Sequence, residues 1–307
     1  MSAHVSSAGL TASPKQTAIA FAALLAGAIA MGISPLFVRL ADVGPFASAV
    51  WRVAAALPLL WVWARLETPG QSVRSGWSWP VVISGALFAG DLFFWHLAIL
   101  NTTIANATFL ATLAPVWVLL GSSLILREKV TKPMWAGLAA CLLGAAGLVG
   151  ASLGLDASRL NGDLYGLATS FFFGAYILAT RYVRRTLGPG GLMLRSSIVT
   201  AGVLAVVALV LEPRILPQTL QGAAALAIIA LISHAAGQGL LAFSLGRLTA
   251  GFSALVIFLE AVTAAAVAWV FLGETLSGLQ FVGSMLILAG VWFARPRRAR
   301  PLPIEQD

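Results

Sequence analysis

Charged side chains are scarce in this chain. Only 10% of its 307 residues are Asp, Glu, Lys or Arg, and 59% are hydrophobic, whereas soluble proteins average roughly 25% charged residues. So few charges cannot cover the surface of a soluble protein. The composition therefore excludes an ordinary soluble enzyme and predicts an integral membrane protein that contacts the lipid bilayer.

Cysteine and recognisable catalytic motifs are also missing or rare. The single cysteine, Cys141, lies within an apolar stretch and cannot form an intrachain disulfide. There is no Walker loop, no HExxH motif and no nucleophile elbow. We therefore expect no enzymatic activity, no cofactor and no metal site, and we expect any transport to run on gradients.

The basic residues predict an orientation and not a nucleic-acid partner. The net charge is +8, but the Lys and Arg residues lie between apolar stretches and at the C-terminus instead of forming one patch. With the N-terminus inside, 14 of the 19 Lys and Arg residues fall on one side of the membrane and three fall in the opposite loops. The positive-inside rule then predicts that both termini are cytoplasmic.

Apolar stretches of the length needed for membrane helices fill most of the chain. A spanning helix needs about 20 apolar residues, and we predict ten, separated by short turn-like breaks that leave no room for a soluble domain. Residues 1–15 are predicted to form a disordered cytoplasmic tail and residues 295–307 a basic one. The predicted helices cover residues 16–38, 45–64, 78–99, 102–126, 133–152, 163–186, 190–211, 220–245, 248–272 and 278–294.

The chain repeats itself at an offset of 146 residues. Each copy has a long apolar stretch, a Leu-x-Glu break, and a second stretch with two glycines seven residues apart. The matched pairs are Thr103/Thr249, Leu113/Leu259, Val116/Val262, Leu126/Leu272, Glu128/Glu274, Gly137/Gly283, Leu142/Leu288 and Gly144/Gly290. Five helices per copy is an odd number, so the second copy should enter the membrane upside down. We predict an all-α membrane protein in which two inverted repeats, residues 16–152 and 163–294, surround a central cavity.

These features resemble the EamA repeat of the drug/metabolite transporter superfamily. The first copy carries Ala98, Ala107, Pro115, Leu126-Arg127-Glu128, Gly137 and Gly144, and the second carries Leu259-Glu260, Gly273-Glu274, Gly283 and Gly290. The chain departs from the family at Ala261, where proline usually follows the glutamate. The whole sequence is similar to YddG-type exporters of aromatic and other amino acids, and this resemblance implies amino-acid export.

Two carboxylates in the middle of predicted helices are the first site candidates, because an ionised group facing lipid costs about 2.5–3.5 kcal/mol on insertion scales. Glu260 shares a mildly polar stripe with Ser253 and Thr263. It could be a gate, a proton site or an amine contact, or it could form a structural ion pair with Arg52. Asp91 shares a face with Phe88 and Trp95.

The Asp91 face suits a zwitterion with an aromatic side chain. Its ammonium would meet Asp91 and its ring would meet Trp95 or Phe88. A capped or water-bridged Asp91 at an aqueous vestibule is the alternative. The further cavity candidates are Asn101, Phe172, Tyr176, His234 and Gln238. Ordinary helix packing remains open for these residues.

The combined prediction is a monomeric secondary transporter that exports neutral amino acids across the bacterial inner membrane by alternating access. One alternative keeps the mechanism and exports drugs, purines or other metabolites. The other is a membrane scaffold or an intramembrane enzyme. An enzyme would need paired catalytic groups, and Asp91, His234 and Glu260 are scattered along the sequence.

Overall fold

The computed structural model describes residues 14–67, 76–150, 157–273 and 277–295, and within these ranges the chain is helical with short turns. The helices are α1 (Pro14–Gly32 and Ser34–Leu40), α2 (Pro45–Ala54 and Leu57–Glu67), α3 (Trp79–Asn101), α4 (Ile104–Ala111 and Ala114–Leu124), α5 (Lys132–Val149), α6 (Leu160–Val183), α7 (Pro189–Leu211), α8 (Leu220–Leu245), α9 (Ala250–Val256 and Leu259–Leu272) and α10 (Gly278–Ala294).

Eight of the described helices are long and apolar enough to cross a membrane, and α10 is a shorter apolar helix of 17 residues. The predicted all-helical, multi-pass architecture is therefore confirmed for the described part of the chain. Glu274 and almost all of the two predicted tails lie outside the described residues.

One helix begins earlier than predicted. The sequence analysis expected a helix over 163–186, but α6 begins at Leu160 and includes the turn-like sequence Asn161-Gly162-Asp163. A neighbouring helix end explains the difference, because Asp163 accepts hydrogen bonds from Thr102 Oγ1 at 2.7 Å and from Asn106 Nδ2 at 3.1 Å. Contacts with the α3–α4 connection thus hold the start of α6 in helical form.

Three of the interrupted helices carry a proline just after the break. Pro35, Pro58 and Pro115 follow the breaks in α1, α2 and α4. Proline has no N–H for the carbonyl four residues earlier and its ring collides with that carbonyl. Proline therefore accounts for these three interruptions.

The break in α9 has no proline. It consists of Ile257 and Phe258, where the backbone bonds run to the third residue back, as from Glu260 N to Ile257 O at 2.8 Å. Phe258 lies 146 residues after Thr112 in the α4 break. The two copies of the repeat are thus interrupted at equivalent positions.

The middle of α8 is a π-helix over Ile229–Gln238. Such wide turns are rare and occur frequently at functional sites. This segment contains Ser233, His234 and Gln238, which are buried polar residues. The π-helix therefore sets the direction of the polar side chains of α8.

Glycines bring α5 and α10 into backbone contact. A Cβ atom on Gly144 would lie 2.5 Å from the Gly283 carbonyl oxygen, and one on Gly137 would lie 2.7 Å from that of Gly290. Because the residue numbers rise along one helix and fall along the other, the two helices are antiparallel. The contacts are also reciprocal, since Gly283 and Gly290 meet the carbonyls of Gly144 and Gly137 at 2.5 and 2.8 Å.

A second reciprocal contact joins α2 and α7. Glu212, directly after α7, accepts hydrogen bonds from Phe46 N at 2.6 Å and Ala47 N at 2.9 Å at the start of α2. Glu67, the last residue of α2, accepts from Gly191 N at 3.1 Å at the start of α7. Each carboxylate faces the positive end of the other helix dipole. Glycine precedes each helix because a side chain at Gly44 or Gly188 would overlap the carboxylate.

We expect Glu212→Gln to destabilise the protein, because an amide offers one acceptor oxygen in place of two and brings an N–H group against the backbone donors. Losing a hydrogen bond to a charged group costs about 1.5–3 kcal/mol. The midpoint of thermal unfolding in detergent should fall by several degrees. Arg214→Gln, an exposed position in the same connection, is the control. An unchanged midpoint for Glu212→Gln would contradict the capping role.

Candidate functional site

A cavity of about 170 Å³ lies where the interrupted helices meet. Thr112 and Pro115 at the α4 break and Ile257 and Phe258 at the α9 break line it. Interrupted helices at corresponding positions of two repeats are typical of transporter binding sites. The polar and charged lining residues are Ser34, Arg52, Asp91, Thr108, Thr112, Thr169, Gln238 and Glu260.

Three ionisable side chains from three helices meet in this lining. They are Arg52 of α2, Asp91 of α3 and Glu260 of α9. Asp91 is only 8% exposed. Arg52 donates from Nη2 to Ser233 Oγ of α8 at 3.2 Å, so its hydrogen bond goes to a neutral hydroxyl. The cavity thus offers a guanidinium and two carboxyl groups to one small ligand.

Aromatic rings form one wall of the cavity. Phe88 and Trp95 of α3 and Phe173 of α6 line it. The Phe88 ring lies 4.8 Å from the Tyr176 ring and 5.5 Å from the His234 ring, between centroids. Tyr176 and His234 therefore support Phe88 from behind.

The structure brings six of the sequence candidates together: Arg52, Phe88, Asp91, Trp95, Gln238 and Glu260 all line the cavity. It places the other four elsewhere. Tyr176 and His234 lie behind Phe88, and His234 Nε2 shares a hydrogen bond with Ser197 Oγ at 2.9 Å. Phe172 stacks on Phe94 with ring centroids 5.2 Å apart.

Asn101, a cavity candidate, lies at the end of α3 and does not line the cavity. It is exposed, and its Nδ2 donates to the Leu97 carbonyl at 2.8 Å. The side chain thus bonds within its own helix.

The candidates predicted from the sequence did not include Ser34 and Phe173, among other lining residues. Ser34 lies at the α1 break, next to Pro35. Phe173 of α6 lines the cavity in the place expected for Phe172. Pro35 inside an apolar helix was the available signal for Ser34, since such interruptions mark binding sites in transporters. For Phe173 no signal distinguished it from the adjacent phenylalanines.

Hydrogen bonds around Glu128 tie several helix ends together. This carboxylate binds Arg181 Nε at 2.7 Å and accepts from Ala250 N at 2.8 Å. Arg181 Nη1 also donates to the Leu245 carbonyl at 2.7 Å. These bonds join the ends of α4, α6 and α8 to the start of α9, and we name them the Glu128 clasp.

Outside the helices, Asp42 holds the start of α8. It accepts from Thr219 N at 2.7 Å and from Gln218 N at 3.0 Å. Hydrogen bonding by Thr219 holds the pKa of Asp42 below its ordinary value. A lowered folded-state pKa means that this contact stabilises the fold at neutral pH, and that the contribution is lost as the pH falls through that value.

Comparisons with known proteins agree with this architecture. A model of the EamA-like transporter family matches twice, at residues 18–150 and 160–295, which confirms the repeat. Among 29 matching chains of solved structures is one titled "Crystal structure of protein". It is 22% identical, has a TM-score of 0.78, and the match covers 91% of this chain and 96% of that one. This likeness concerns the fold alone. No curated protein matches the chain.

Proposed function

Because the chain belongs to the EamA-like transporter family, and is thus a membrane transporter of small molecules, we propose that it exports neutral amino acids, aromatic ones included. The observation that carries this proposal is the joint lining of one cavity by Arg52, Asp91, Glu260 and aromatic rings. An amino acid is a zwitterion, and this lining offers opposite charges to its two poles.

Recognition of the cargo divides between charge and ring contacts. The ammonium group binds Asp91, since a buried carboxylate makes strong charge-assisted hydrogen bonds. Aromatic side chains of the cargo pack on Trp95 and Phe88, where ring pairs add about 0.5–1.5 kcal/mol beyond area burial. Rings and small residues discriminate weakly between side chains, so we expect a broad range of neutral amino acids.

The size of the cavity supports amino acids over drugs. Its volume is about 170 Å³, and a cavity of about 150 Å³ holds a benzene molecule. Pockets for drug-sized ligands measure about 300–1,000 Å³. The cavity volume therefore matches an amino acid better than a drug.

The mechanism we propose is alternating access by two inverted repeats of five spans each. The reciprocal α5/α10 and α2/α7 contacts support it, because exchanging the two copies maps each contact onto its partner. Packing of α1 on α8 likewise corresponds to packing of α6 on α3. Such repeats rock around a central site.

We further propose that both termini, and with them the Glu128 clasp, face the cytoplasm of a bacterial inner membrane; the Lys and Arg distribution supports this orientation. In this orientation the clasp ties helix ends together on the cytoplasmic side of the cavity. Cargo loading requires the clasp to open. The transporter acts as a monomer in this proposal, since one chain supplies the residues that line the cavity.

Counterflow into proteoliposomes tests the proposed function. Purified protein is reconstituted with unlabelled phenylalanine, methionine or threonine inside, and uptake of the labelled amino acid is measured. We expect uptake of all three above protein-free liposomes, and little uptake of adenine or a cationic dye. Flux of only adenine or the dye would indicate a drug or purine exporter. No flux of any compound would favour the scaffold or enzyme alternatives.

A further inference from the structure

Several buried polar atoms of the cavity lining have no hydrogen-bond partner among the described residues. They are Ser34 Oγ, Arg52 Nε and Gln238 Oε1. Ser34 is 4% exposed and Gln238 is 2% exposed. Buried polar groups in native proteins almost always have partners, so each exception needs an explanation.

The three atoms divide into donors and an acceptor. Arg52 Nε carries an N–H and Ser34 Oγ an O–H, so both can donate, and Gln238 Oε1 accepts. Leaving a buried group unsatisfied is costly. A ligand with an acceptor pole and a donor pole would satisfy all three at once. A free α-amino acid has these two poles on one carbon atom.

We propose that Arg52 and Ser34 form a carboxylate subsite, so that the cargo must carry a free α-carboxylate. The inference rests on the proposed function and assigns the second pole of the same site. The ammonium lies between Asp91 and Gln238 Oε1, and the carboxylate accepts from Arg52 and Ser34. This assignment replaces the structural ion pair of Arg52 with Glu260 that the sequence left open.

The guanidinium suits this role for two further reasons. Its hydrogen bond within the described chain goes from Nη2 to the neutral Ser233 hydroxyl, which leaves the Nε–H for an anion. Arginine also stays charged when buried and binds carboxylates with a planar fork of donors. Amines and amides of the same shape as the cargo carry no carboxylate, so they leave the guanidinium donors of Arg52 without an anion to bind.

The test compares phenylalanine with three analogues that each lack one pole: phenylalaninamide, phenethylamine and 3-phenylpropionate. Each competes with labelled phenylalanine for counterflow. We expect the parent protein to bind phenylalaninamide and phenethylamine at least about tenfold more weakly than phenylalanine, as a charge-assisted bond of about 1.5–3 kcal/mol requires. Arg52→Gln should lower the affinity for phenylalanine to that for phenylalaninamide, and it should leave the affinity for phenylalaninamide unchanged.

Two serines provide a matched pair of variants. Ser34 and Ser253 are both buried and both have a hydroxyl without a partner among the described residues, but only Ser34 lines the cavity. Ser34→Ala should weaken the binding of phenylalanine several-fold and leave the binding of phenethylamine unchanged. Ser253→Ala should change the binding of neither compound. If Arg52→Gln does not fold, Arg52→Lys and Ser34→Ala carry the test.

The outcomes separate this inference from the proposed function. Equal competition by phenylalanine and phenylalaninamide in a parent protein that transports phenylalanine would overturn the subsite and leave the function standing. If the parent transports no amino acid, thermal stabilisation in detergent decides. Stabilisation by 3-phenylpropionate that Arg52→Lys removes would support the subsite, and its absence would overturn it.

Discussion

Replacing Gly144 by leucine should greatly lower the amount of folded protein in the membrane. The Cβ atom alone would lie 2.5 Å from the Gly283 carbonyl oxygen and 3.0 Å from Ile287 N, and both are backbone atoms that no rotamer change can move. The helices must separate, and the contact between α5 and α10 is lost along its length. Close backbone approach at small residues is a main source of helix association in lipid.

The measurement is the yield of monodisperse protein after detergent extraction. Gly202→Leu is the control, because a Cβ atom at Gly202 in α7 meets nothing within 4 Å. We expect a loss of at least about tenfold for Gly144→Leu and a yield near that of the parent for Gly202→Leu. Equal yields would show that the glycine contact does not hold the two helices together.

The second large effect is expected for Asp91→Asn, which should lower transport of every amino acid in the panel. The α-ammonium is common to all of them, and the substitution keeps the shape of the side chain while removing its charge. A bond to a charged group is worth about 1.5–3 kcal/mol, so we expect a loss of about 10- to 150-fold in apparent affinity.

Counterflow of phenylalanine, methionine and threonine by parent and variant provides the measurement, with thermal unfolding in detergent as the check on folding. Trp95→Ala is the comparison. This variant should weaken the transport of phenylalanine more than that of threonine, because it removes a ring contact and leaves the charged groups in place. Parent-like transport of all three by Asp91→Asn would place the ammonium elsewhere, at Glu260.

Much of the architecture follows from the sequence, because apolar length and the repeated Glu and Gly spacings are direct physical requirements of lipid and of close packing. The seven-residue spacing of Gly137 and Gly144 marked the repeat in the sequence. It did not indicate that these glycines contact their own equivalents, Gly283 and Gly290. Contact between two elements depends on how the whole bundle closes, which no single helix encodes.

The sequence predicted the charged residues of the site better than the aromatic ones. Asp91 and Glu260 stood out because an ionised group in a membrane helix needs a protected position. Phe172 and Phe173 differ by only 100° around a helix, and the packing of Phe172 on Phe94 decides which of them reaches the cavity. His234 turns towards Ser197 of α7, a partner that its own helix face could not indicate.

The shortness of the α5/α10 pair makes the bilayer itself part of the structure. With 18 and 17 residues, these helices are only about 26–27 Å long, whereas the hydrocarbon core of a bilayer is about 30 Å thick. α3 and α7, with 23 residues each, exceed that thickness. A span shorter than the hydrocarbon core is accommodated by thinning of the bilayer, by snorkelling of flanking side chains or by oligomerisation, whereas a longer one tilts or kinks. The α5/α10 pair and the α3/α7 helices therefore place opposite demands on the lipid around them.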